Sequence, residues 1–196
     1  MGKGRLEAFS DGVFAIIITI TVLDLKIPHE GGHLSALRPV LPEFLSYALS
    51  FTYVGIYWTN HHHMFQAARR VNGTVLWANL LLLFWLSLSP FVTGWLGENP
   101  DSAWATAVYG TDFFLSGISF YVLQRALVAL EGQESLLARA TGGATKEIVS
   151  QVLYAFGIAL AFVRPWMSDL LYAGVALMWI VPDPRIERRV LPNESA

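Results

Sequence analysis

From Gly12 to Leu23 the chain is almost wholly apolar, and five further apolar stretches follow it. A helix rises ~1.5 Å per residue, so about 20 such residues cross the ~30 Å hydrocarbon layer of a bilayer. These runs predict an all-α integral membrane protein with six transmembrane helices, at about 5–27, 43–65, 75–96, 104–127, 148–163 and 166–181. Pro28 closes the first, Gly31, Gly32, Pro39 and Pro42 fill the next loop, Arg164-Pro165 makes a tight turn, and Pro182 and Pro184 follow the last. The last two spans are short, and a tilted or partly interfacial hairpin is the alternative for them. No soluble domain fits between the spans and no half-chain repeat is present. Residues 1–184 therefore read as one six-helix unit, with a polar tail at 185–196.

At 54% hydrophobic and 14% charged, the composition is too apolar for an ordinary soluble domain. The net charge of −2 gives no attraction to nucleic acid. The lack of cysteine excludes disulfides, thiolate metal sites and a cysteine nucleophile. Glu7 and Asp11 interrupt what could otherwise be a signal peptide, and no small-x-small cleavage site follows, so the first helix is read as retained. With the N-terminus inside, Lys3, Arg5, Arg69, Arg70, Arg125, Arg139, Lys146, Arg185, Arg188 and Arg189 fall on the inner side. Only Lys26, Arg38 and Arg164 fall outside. That bias predicts a multi-pass protein of the cell membrane with both termini cytoplasmic; Trp95, Trp104 and Trp166 suit interfacial anchoring.

The first helix carries an unusual pairing of features. Asp11 within a spanning helix costs about 3 kcal/mol on insertion scales, so it must face protein or water. At 100° per residue Ile16, Ile20, Leu23 and Ile27 share one narrow face, and Asp11 lies about 140° from Ile16. An aliphatic stripe alone fits a lipid or packing face equally well. Arg5-x-x-x-Phe9-Ser10-Asp11, followed by an Ile/Leu-rich run ending in Leu-Asp-Leu-Lys, resembles the first helix of the transmembrane protein 175 family, the endosomal and lysosomal potassium channels. Length and span number resemble its single-repeat prokaryotic branch. The resemblance implies a homotetramer built around the first helix, because two-repeat members dimerise. It implies a pore lined by Ile16, Ile20 and Leu23, with Ile16 as the constriction. It also implies a network joining Arg5, Ser10 and Asp11, beside Phe9, to Trp58, a histidine and Asn79. The sequence leaves the choice among His61, His62 and His63 open; His62 is preferred as lying four residues after Trp58.

Other groups carry less. Consecutive histidines point ~100° apart and cannot close on one metal ion, and no His-x-x-x-His pair is present. Asp112 reads either as an ion or proton relay or, preferably, as an acid paired in the bundle or held near the outer headgroups. Asp24 and Lys26 shape an outer mouth or are snorkelling interfacial charges. No Gly-x-Ser-x-Gly elbow, His-Glu-x-x-His motif or phosphate loop is present, so no enzyme is expected. The expectation is a cofactor-free, potassium-permeable cation channel of modest selectivity over sodium, with itself and the lipid bilayer as partners. The alternative is a proton-coupled secondary transporter using Asp11, Asp112 and a histidine of 61–63. The broken helices in two half-repeats that mark such transporters are not visible.

Overall fold

The computed structural model describes residues 2–23, 25–27, 32–135, 137–138 and 145–180. Asp24, Arg139, the segment 28–31 and the tail 185–196 lie outside them, as do the calls made on those residues. The described helices are α1 (Lys3–Leu23), α2 (Leu41–Ala67), α3 (Gly73–Glu98), α4 (Ala103–Glu131), α5 (Thr145–Ala161) and α6 (Pro165–Ile180), with a 3-10 turn at Leu34–Val40 before α2. Local chemistry sets several boundaries. The Asn72 side chain accepts the Val75 N–H at 3.0 Å and Ser102 accepts that of Ala105 at 3.3 Å, capping α3 and α4. Pro42 and Pro165 stand in the first turns of α2 and α6, where a missing N–H costs nothing. Gly132 ends α4 at φ 97°, a conformation that favours glycine.

One expectation is corrected. The first helix stops at Leu23 rather than Ile27. The chain turns there: the Lys26 backbone N–H reaches Glu43 (3.4 Å), and its ammonium lies 2.7 Å from Glu98 and 3.7 Å from Glu43. The Glu98 hydrogen bond and charge hold the Lys26 pKa above its usual value. Ile27 is therefore off the helical stripe. By length and apolarity, α1, α3 and α4 are long enough to cross a membrane. The 27 residues of α2 have the length but end in polar residues, and the 17 and 16 residues of α5 and α6 fall short of the ~30 Å layer.

Two apolar clusters hold the helices together. At one end Leu6, Phe14 and Ile17 of α1 pack with Phe65, Leu82, Leu86, Leu123 and Leu127. At the other, Tyr53, Tyr109, Phe113, Tyr154 and Tyr172 join α2, α4, α5 and α6. Tyr172 slots between α4 and α5 because glycines face it: a Cβ at Gly110 would stand 2.0 Å from its hydroxyl. The N-terminal end of α1 is tied to the C-terminal end of α2 by the Lys3 ammonium, which donates to the Ala68 carbonyl at 2.8 Å. Glu131 at the end of α4 accepts the N–H groups of Arg69 (2.9 Å) and Arg70 (3.1 Å), so these three helix ends share one side of the bundle.

Candidate functional site: two faces of the first helix

The sequence of α1 places Leu6, Ser10, Phe14, Ile17 and Thr21 three or four residues apart, on one side, and all five are buried against the bundle. Phe9 (50% exposed), Ile16 (56%), Ile20 (45%) and Leu23 (78%) occupy another face that the chain leaves uncovered. The aliphatic stripe expected from the sequence is therefore the open face of α1, while Ile17, one residue on, is 3% exposed.

The buried face is locked by a directional chain of hydrogen bonds. Ser10 donates to the Leu6 carbonyl (2.9 Å), and the Asn79 amide donates to Ser10 Oγ (3.0 Å). That orientation leaves Asn79 Oδ1 to accept from His61 Nε2 at 2.8 Å, which fixes the His61 tautomer as Nε2–H. Phe14 packs edge-on to the His61 ring at 5.5 Å and Phe65 lies beside it at 4.5 Å. Ser10, His61 and Asn79 are each at most 1% exposed. His61, not His62, is thus the histidine that meets Asn79. Its imidazole points between α1 and α3, whereas His62 is turned outward, stacked on Trp58 at 6.0 Å and accepting from Gln66 at 2.8 Å.

A second, exposed arrangement forms one residue further along each helix. The indole N–H of Trp58 donates to Asp11 Oδ1 at 3.0 Å, with His62 stacked beyond it. Ser10 and Asp11 cannot share a partner because consecutive helical residues diverge by ~100°. The single network expected from the sequence is therefore two: Ser10–Asn79–His61 inside and Asp11–Trp58–His62 at the rim. Arg5 joins neither. Its side chain is exposed and meets no hydrogen-bond or ion-pair partner among the described residues. Asp112 also departs from expectation: it is 4% exposed, and neither carboxylate oxygen has a hydrogen-bond partner. Sequence reading could find this acid but not its isolation, which depends on which α4 face meets the bundle. Among the described residues no group of His, Asp and Glu could hold a metal ion.

The family described as "Endosomal/lysosomal potassium channel TMEM175" matches residues 5–90. A potassium channel of Chryseobacterium sp. (strain P1-3) is 50% identical over 193 residues, covering 98% of this chain and all of the relative. One of Chamaesiphon minutus is 34% identical, covering 84% of this chain and 87% of the relative. The human endosomal/lysosomal proton channel TMEM175 is 28% identical over 193 residues, 38% of its length. The crystal structure of a lysosomal potassium-selective channel TMEM175 homolog from Chamaesiphon minutus superposes with a TM-score of 0.80 at 30% identity, over 91% of this chain and 96% of that one.

Proposed function

This chain belongs to the TMEM175 family, and we propose that it is a potassium-permeable channel whose pore several copies build around α1. It is a membrane protein and not an enzyme; the relatives named above are channels. The observation that supports the pore reading is the division of α1 into a face locked to its own bundle and an open face. Only 28% of its most apolar stretch is buried, against 44% for α3 and 39% for α4. Lipid could cover the aliphatic part of that open face. It would not suit the cytoplasmic end, where Arg5 has no partner among the described residues and Asp11 is exposed. A neighbouring copy covers both.

Four copies place Ile16, Ile20 and Leu23 as successive rings about one helical turn apart, with Ile16 the narrowest. Branched aliphatic side chains offer no oxygen ligands. A cation crossing such a ring sheds part of its hydration, and potassium sheds it at lower cost than sodium, which gives modest selectivity. No site for a cofactor is required; potassium is the permeant ion. In this reading all six helices lie in the cell membrane, with both termini cytoplasmic. The lone Arg5 and the grouping of Lys3, Arg69 and Arg70 at one end support that orientation. A cysteine introduced at Ser102 should react with an impermeant thiol reagent from outside only; labelling solely from the cytoplasmic side reverses the topology.

Flux in liposomes holding the purified protein tests the function. Potassium should move faster than sodium and without saturating. A flux that saturates and follows an imposed proton gradient would instead favour a coupled transporter.

A further inference from the structure

A cavity of about 460 Å³ opens at the end of the bundle opposite Lys3, Arg69 and Arg70, between the C-terminal ends of α1 and α3 and the N-terminal end of α2. Its size falls within the ~300–1,000 Å³ range of ligand pockets. Gly97 makes the corner. A Cβ there would stand 2.8 Å from the Glu43 Cα, so glycine lets α3 close on α2 and brings Glu98 and Glu43 to one ammonium, that of Lys26. The hydroxyls on the floor accept hydrogen bonds and offer none. Thr21 directs its proton to the Ile17 carbonyl (2.7 Å) and Thr93 directs its own to the Ser89 carbonyl (2.5 Å). Ser50 then donates to Thr93 at 2.6 Å, and Tyr109 to Ser50 at 3.0 Å.

Two carboxylates share one ammonium here. Lys26 Nζ lies 2.7 Å from Glu98 but 3.7 Å from Glu43, beyond hydrogen-bond reach, so Glu43 keeps lone pairs for another donor. Among the described residues the site carries one negative charge in excess. No group of His, Asp and Glu among those residues could hold a metal ion, whereas a primary ammonium brings three N–H donors to such acceptors. The walls are aromatic: Tyr47, Phe91 and Trp95, near helix ends, where aromatic rings meet lipid headgroups. Beyond Phe91, which is 68% exposed, Phe84 and Leu80 continue one uncovered apolar face along α3. That strip runs ~16 Å at 1.5 Å per residue, long enough to carry much of an acyl chain.

We propose that this cavity holds the headgroup of an ethanolamine phospholipid, its primary ammonium on Glu43 and Glu98 and an acyl chain along Phe91, Phe84 and Leu80. The Lys26 side chain is 62% exposed and paired closely with one carboxylate only, so it has N–H groups left for the lipid phosphate. The Tyr47 hydroxyl and the Trp95 indole are further donors in the lining. A choline head cannot donate to the carboxylates, because methyl groups replace its N–H groups. A glycerol head brings no positive charge to set against them. Thr21 belongs to the buried face of α1, so the site stands apart from the open stripe of Ile16, Ile20 and Leu23 and does not rest on the potassium reading above.

Native mass spectrometry of the purified, delipidated protein tests it, with lipids of identical acyl chains and ethanolamine, choline or glycerol heads added in turn. The ethanolamine lipid should bind roughly tenfold more tightly than the other two, the weight of one charge-assisted hydrogen bond. Glu43→Gln and Glu98→Gln keep the side-chain volume and lose the charge, and each should remove most of that preference. Lys26→Ala breaks the same tie between α1, α2 and α3 but leaves both carboxylates. It should weaken all three lipids and keep ethanolamine ahead. Equal binding of the three lipids to the wild type overturns the proposal. So does an ethanolamine preference that survives in both glutamine variants. A preference lost in Lys26→Ala as fully as in the glutamine variants also overturns it, because the placement of the α1 end, and not the carboxylates, would then make the choice. Free ethanolamine that removes the lipid at millimolar concentration assigns the site to a soluble amine and overturns the lipid reading.

Discussion

At the scale of single residues, adjacent histidines do different jobs. His61 ends a buried hydrogen-bond chain, and His62 caps an exposed indole–carboxylate pair. His61→Ala leaves Asn79 Oδ1 buried without a donor and empties space beside Phe14 and Phe65. An orphaned buried acceptor costs about 1–3 kcal/mol, so the variant should unfold at clearly lower temperature in detergent. His62→Ala loses one exposed contact and should melt within a few degrees of the wild type. Equal losses in thermal denaturation would show that the two networks are not separate. Helix placement brings Trp58 and a histidine to the depth of Ser10 and Asp11, because Trp58 falls at the end of α2 that meets the start of α1; Asn79 was implied by the family resemblance. Which histidine turns inward was not legible in the sequence, since that depends on the rotation of α2 about its axis, set by the packing of Phe14 and Phe65.

At the scale of elements, α1 is the piece whose two faces differ most in use. The helical wheel separates Ile16 from Ile17 by ~100°, and the structure leaves the first open and buries the second. Ile16→Asn should let a ring at that depth hold water, raising conductance and weakening discrimination against sodium; Ile20→Asn should do so less. Ile17→Asn puts an amide into an apolar core and should destabilise by about 2–4 kcal/mol, with little direct change in selectivity. Single-channel recordings of the three variants decide it: unchanged permeation in Ile16→Asn beside altered selectivity in Ile17→Asn means the pore face is misassigned. The helices themselves were legible from apolar run length, and their ends fall within a few residues of those expected. The end of α1 was missed because residues far away in sequence, Glu43 and Glu98, draw Lys26 aside.

At the scale of the whole molecule, the groups one chain leaves unfinished constrain the assembly. Arg5 and Ile16 lie eleven residues apart, about 20° from each other around the helix, so the open aliphatic face continues into an arginine with no partner among the described residues. Among the described residues Asp11 has Trp58 as its one hydrogen-bond donor and retains lone pairs for another. The Asp11–Trp58 contact was expected from the sequence and the family resemblance, whereas the place of Arg5 outside that network was not. Arg5 and Asp11 point to different sides of α1, which suits a contact between neighbouring copies better than one within a chain. Burying such a charge and then removing its partner costs about 3–5 kcal/mol. If the proposed tetramer forms, Asp11→Ala and Arg5→Ala should therefore shift the purified protein from tetramer toward monomer, while a single chain keeps its helicity because Ser10, His61 and Asn79 remain intact. Light scattering after size exclusion, with circular dichroism on the same fractions, measures both. Combining the substitutions should cost less than the sum of the two, because the second removes a charge already left without its partner. If Asp11→Ala stays fully tetrameric and stable but loses potassium selectivity, Asp11 lies in the permeation path and not in the contact between copies.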